Sequence, residues 1–112
     1  MLAIVDKELV DRSASNEVII TSIDSDRVLF YNFYVKWTKT AGALGGTTKL
    51  QQTTDGTNWT DIATKTQAIN DGNGSVVFEN TTEFTGKKIR LHTTINAGGT
   101  CDLYAYAFCK GI

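Results

Sequence analysis

From Glu17 onward the chain consists of short runs of β-branched and aromatic residues, each cut off by Gly, Asn or Asp before it reaches helical length. That rhythm is what an all-β domain requires. It predicts strands over residues 17–23, 27–38, 47–54, 58–64, 75–80, 87–95 and 100–110, with a further short strand possible over 65–69 and a pairing segment possible in the N-terminal arm. The breaks fall at Asp24-Ser25-Asp26, Ala41 to Gly46, Asp55-Gly56, Asn70 to Gly74, Thr85-Gly86 and Asn96 to Gly99. Seven to eight strands at this spacing imply a single antiparallel β-sandwich, jelly-roll-like, over residues 16–112. Residues 1–15 lack the pattern. Ile4, Val5, Leu9 and Val10 fit a short helix or an extended segment equally well, so this stretch is read as an N-terminal arm.

Composition excludes several functions. The 112 residues suit one domain, and the formal net charge of -1 supplies no field for nucleic acid or an anionic membrane surface. Lys87-Lys88-Ile89-Arg90 is the densest basic run, and it alternates faces on a strand. No apolar run approaches the ~20 residues of a membrane helix. The opening MLAIVDKELV has no basic leader, and Asp6, Lys7 and Glu8 interrupt its apolar stretch. The expectation is a protein made in the cytoplasm and not exported by the general secretory route.

Cys101 and Cys109 lie on one predicted strand, roughly 26 Å apart at ~3.3 Å per residue. A disulfide needs Cα atoms within about 7 Å, so both are read as buried thiols. His92 is the only histidine, which leaves a two-cysteine metal site short of ligands. Asp24, Asp26, Asp55, Asp61 and Asn70 to Gly74 offer oxygen ligands, but none has the spacing of a calcium loop. In KKIRLHTTI the inward set is Ile89, Leu91, Thr93 and Ile95, which puts His92 outside with Arg90. There is no nucleophile elbow and no phosphate-cradling loop. The reading is no enzyme, no cofactor and no metal.

Two strands are unusual. On Arg27 to Trp37, Leu29, Tyr31, Phe33, Val35 and Trp37 are expected in the core. The opposite parity carries Val28, Phe30, Asn32, Tyr34 and Lys36, too apolar for an open face. On Thr100 to Lys110, one parity carries Cys101, Leu103, Ala105, Ala107 and Cys109, the other Asp102, Tyr104, Tyr106, Phe108 and Lys110. Either could be core. A sheet apolar on both sides must be covered by its own arm or by a neighbouring subunit. The expected contact residues are Ile4, Val5 and Leu9 in the arm, with Phe30, Tyr34, Tyr104, Tyr106 and Phe108 on the sheet. The alternative is a glycan platform of Trp59, Tyr104 and Tyr106, with Asn32, Asp102 and Gln51 or Gln52 as hydroxyl partners.

LQQTTDGTNWTDI, Leu50 to Ile62, reads as strand, two-residue Asp-Gly turn, strand. Trp59 and Ile62 are expected to pack near the hairpin base. The TDGTNWTDI segment resembles turns of discoidin-like modules, and is similar to a shortened Asp-box turn of sialidase propellers. Asp55 and Gly56 are adjacent, which departs from Asp-box spacing.

The whole chain is Thr-, Asn- and Gly-rich and ends in CDLYAYAFCKGI. It resembles small virion proteins of tailed bacteriophages, such as head-decoration or tail-associated β-sandwich subunits. That resemblance implies a structural protein of the virion, a homo-oligomer (a trimer is one arrangement) that binds a capsid or tail lattice and stabilises or extends it. The alternative function is a carbohydrate-binding module for cell-surface glycans.

Overall fold

A computed structural model describes residues 2–23 and 27–112. The Asp24-Ser25-Asp26 break, also a calcium candidate above, lies outside the described residues. Eight strands follow one another: β1 (Leu2–Ala14), β2 (Glu17–Ser22), β3 (Val28–Gly42), β4 (Gly46–Thr53), β5 (Trp59–Ile69), β6 (Gly74–Glu79), β7 (Lys88–Ile95) and β8 (Gly99–Gly111). They form two four-stranded antiparallel sheets. The front sheet has the order β1-β8-β3-β6 and the back sheet β2-β7-β4-β5.

The pairings are nested. β1 runs against β8, β2 against β7, β3 against β6 and β4 against β5. This is one long hairpin rolled up, with β3·β8 and β4·β7 closing the two sheets. It is the topology of a jelly roll.

Side chains from the inner faces fill the space between the sheets. Phe33, Val35, Leu50 and Ile89 are 0% exposed. The parity of β3 is as expected from Tyr31 to Trp37, and all four inward residues of β7 are buried. On β8 the set of Cys101, Leu103, Ala105, Ala107 and Cys109 points inward, where Ala107 lies beside the bulky Phe33 of β3 and Ala105 beside Val35. Both cysteines are free thiols. Gly74 serves the same packing, because its missing side chain admits the Trp37 ring.

Three expectations are corrected. Residues 2–14 are not a separate arm. They form β1, the edge strand of the front sheet, in register with β8 from Leu2↔Gly111 to Ala14↔Cys101. Two bulges, at Ile4 and Leu9, shift the register and turn both Val5 and Val10 into the core. Val28, assigned to the outer parity, is buried because another register shift separates it from Phe30. The segments 58–64 and 65–69 form one strand, β5, with a wide irregularity. Gln51 pairs with Asp61 and Lys49 with Thr66, so residues 62–65 loop out opposite Leu50. Thr64 takes φ 66° there.

The DG turn is also longer than two residues. Thr53 pairs with Trp59, leaving five residues between them. The Asp55 carboxylate organises the loop by accepting the N–H groups of Thr57 and Asn58, both at 2.8 Å. These backbone donors hold its carboxyl well below the usual carboxylate range. Gly56, at φ 87°, makes the reversal that a side chain would strain.

Candidate interaction face

With the small residues of β8 turned inward, its aromatic residues face out. Directly paired residues on neighbouring strands share a face, so the ladders define rows across the front sheet. One row is Asp6, Phe108, Asn32 and Glu79. The next is Glu8, Tyr106, Tyr34 and Val77. The third is Asp11, Tyr104, Lys36 and Ser75. Beyond the first row, Lys110 pairs with Phe30. All five sheet residues expected to make contacts, Phe30, Tyr34, Tyr104, Tyr106 and Phe108, therefore lie on one outer surface.

The surface is partly apolar, and its side chains contact one another. Tyr34 and Tyr104 meet edge to face, with ring centroids 6.2 Å apart. Lys110 lies 5.7 Å from the Phe108 ring centroid. The Tyr106 hydroxyl donates a hydrogen bond to the Asp6 carboxylate. That bond keeps the phenolic proton in place and raises its pKa. Val77 on the edge strand β6 is 50% exposed and Phe108 on β8 37%, so the outer face presents apolar area to solvent.

Two shallow clefts cross this face. One, of about 370 Å³, is lined by Asp11, Tyr34, Lys36, Thr38, Asp102, Leu103 and Tyr104. The other, of about 340 Å³, lies between Phe30, Asn32, Glu79, Asn80, Phe108 and Lys110. Among the described residues, Asp11, Lys36 and Asp102 take no part in an ion pair. Their polar heads are available to a partner.

Other assigned residues lie elsewhere. Val5 is core, so it is not a surface contact, and Ile4 and Leu9 are partly buried and pack against the core. Trp59 is on β5 of the back sheet, so it cannot share a platform with Tyr104 and Tyr106. Gln51 and Gln52 belong to the back sheet as well, whereas Asn32 and Asp102 are on the front.

The outer back sheet holds a polar network. The Arg90 guanidinium sits 4.3 Å from the Trp59 ring centroid and its Nε donates to Gln51 Oε1 at 2.9 Å. Gln51 Nε2 donates to Asp61 Oδ1 at 2.9 Å, and Lys49 Nζ lies 3.2 Å from the same carboxylate. Trp59 is thus half-buried under a cation rather than bare. Ile62 packs against the core. His92 is on this outer side with Arg90, as expected, opposite Lys49. Partial burial and the two cations lower its pKa, which keeps the ring neutral at pH 7. Among the described residues no three His, Cys, Asp or Glu side chains converge in a way that could hold a metal ion.

No family model matches the chain, and no curated protein matches it in sequence. Similarity appears in solved structures. The crystal structure of PirA superposes with a TM-score of 0.55 at 14% identity, covering 90% of this chain and 92% of that one. A structure described as "Bacillus endospore appendages form a novel family of disulfide-linked pili" superposes with a TM-score of 0.53 at 17% identity, covering 96% and 88%. One from work on CBM4 structure and function gives 0.50 at 12% identity, covering 94% and 78%. At these identities the shared property is the fold alone, over nearly the whole of this chain.

Proposed function

We propose that this chain is a non-enzymatic structural subunit that acts by protein–protein assembly, with the outer front sheet as its docking face. The observation that carries the reading is the band of Phe30, Tyr34, Tyr104, Tyr106 and Phe108 on one outward surface. Aromatic residues are enriched in interfaces because they bury large area at small entropic cost. The fold shared with a Bacillus appendage subunit supports an assembly role. In its finer form the proposal places the chain in the virion of a tailed bacteriophage, made in the host cytoplasm. There it binds a capsid or tail lattice and stabilises or extends it. The work is done by buried area, ~1,600 Å² for a standard interface, multiplied by avidity around a repeated lattice.

The test is fractionation of density-gradient-purified particles from cells producing the chain. Wild type should be recovered with the particles in fixed stoichiometry. A Tyr104→Ala/Phe108→Ala variant should be depleted about tenfold or more, as loss of interface anchors implies. Equal recovery of the variant, or absence of the wild type from particles, refutes the docking face.

The Tyr34–Tyr104 cleft favours a second reading, a carbohydrate-binding module for cell-surface glycans. Two aromatic walls beside Asp11, Asp102 and Thr38 offer both a stacking surface and acceptors for sugar hydroxyls, and the CBM4 structure has the same fold. Glycan-array binding that disappears in Tyr104→Ala would select it; no binding by wild type would eliminate it.

A further inference from the structure

The two outer faces of the sandwich carry opposite charge. On the front face, five carboxylates (Asp6, Glu8, Asp11, Glu79 and Asp102) stand among two ammonium groups (Lys36 and Lys110). On the back face the charged outward residues are Lys49, Lys88 and Arg90 against Asp61, with His92 neutral. A chain with formal charge of only -1 thus has an acidic, aromatic front and a basic back. The back also has exposed apolar area, since Val18 is 55% and Ile20 47% exposed on its β2 margin.

This separation bears on how copies can meet. A two-fold contact joins a surface to itself. Front to front would set acidic faces together, and back to back would oppose cations, both repulsive. Front to back sets the carboxylates of one copy against Lys49, Lys88 and Arg90 of the next. It also covers Phe108 and Val77 on one side and Val18 and Ile20 on the other. The molecule measures 43 × 25 × 21 Å, so either broad side exceeds the ~800 Å² per partner of a standard interface.

We infer that the occupant of the front face is the back face of a second copy of this chain, stacked head to tail. Such a contact is heterologous, so it generates a closed ring or an open filament rather than a two-fold dimer. The inference rests on the assembly reading and names the partner of that face between copies; in an open stack the front face of the terminal copy is left for the lattice.

Charge exchange between the faces tests it. One variant, Glu8→Lys/Asp11→Lys, makes the front basic. A second, Thr66→Glu/Lys88→Glu, makes the back acidic. All four positions are on outer surfaces, and circular dichroism checks that each variant keeps the fold. In sedimentation velocity, wild type should exceed its 12.2 kDa monomer. Its association should weaken at least about tenfold from ~0.1 M to ~1 M salt, as screening shortens from ~10 Å to ~3 Å. Each variant alone should be monomeric, and mixing the two should restore association. Self-association of either variant at the wild-type level overturns the stacking while leaving the assembly reading intact. Failure of the mixture to associate also overturns it. Wild type that stays monomeric overturns the stacking, and the assembly reading falls with it only if the chain is also absent from particles.

Discussion

Thr48 and Thr93 form a hydroxyl pair in the core, Oγ1 to Oγ1 at 2.8 Å, with side chains 0% and 1% exposed. They face each other across the β4·β7 ladder. Replacing Thr48 by Val keeps the shape but removes one partner. The Thr93 hydroxyl is then buried with no mate, and an orphaned buried hydroxyl costs about 1–3 kcal/mol. Thr93→Val alone should cost a similar amount. The double variant Thr48→Val/Thr93→Val leaves nothing unsatisfied and adds two buried methyl groups, so it should lie within about 1 kcal/mol of wild type or above it. The single losses are therefore strongly non-additive, with a coupling of about 2–4 kcal/mol. Urea unfolding followed by fluorescence of the buried Trp37 is the assay. With a slope of ~1–3 kcal/mol/M, each single variant should lower the midpoint by roughly 1 M, and the double should recover it. Additive losses would refute the reasoning, because the two hydroxyls would then be satisfied independently.

Phe33→Ala removes the largest fully buried ring and should cost about 3–5 kcal/mol, read from the urea midpoint. Gly74→Ala sets a Cβ 2.5 Å from a Trp37 ring carbon and should cost about 1–3 kcal/mol through overpacking, with a changed Trp near-ultraviolet signal. Burial pushes the Cys109 thiol up to about 11 and raises that of Cys101. A thiol reagent at about pH 8 should therefore label neither in native protein and both in denaturant; rapid native labelling would contradict their placement. Asp55, Asp61 and Asp71 all titrate below the usual carboxylate range, held by hydrogen bonds from Asn58 and Thr57, from Gln51 and Lys49, and from Lys39 and Leu44. A depressed folded pKa means that the unfolded chain takes up protons first as pH falls. Their contribution is present above about pH 4 and lost below it, so the urea midpoint should drop between about pH 4 and pH 2; a flat profile there would count against these bonds.

What the sequence made legible follows the period-2 rule. Ile89, Leu91, Thr93 and Ile95, and Tyr31 through Trp37, keep strict alternation, and their faces were readable from it. Residues 2–14 were not, because the bulges at Ile4 and Leu9 break the alternation. Val5 and Val10 have opposite parity in the sequence, yet both reach the core. The same physics hid Val28 beside its bulge and merged the two segments of β5 around residues 62–65. The aromatic band was visible as a parity on β3 and β8, but which β8 parity faces out depended on its register with the bulky inward residues of β3 beside it. The charge asymmetry between front and back was illegible without strand order, because its acidic half comes from β1, β6 and β8, which are far apart in the chain.

The nested strand order also sets a timetable. β8 lies between β1 and β3, so the front sheet has no centre until residues 99–111 are available. During synthesis, the β4–β5 hairpin can close early, but β1 and β3 have no neighbour to bridge them until nearly all of this segment has emerged from the ribosome. The strand that carries Tyr104, Tyr106 and Phe108 is therefore also the last strand of this sandwich to be made. A nascent chain halted before Gly99 would leave the β8-side edge of β3 unpaired and open to other chains. Aggregation of such truncated products is the expected signature of a fold whose contacts are so distant in sequence.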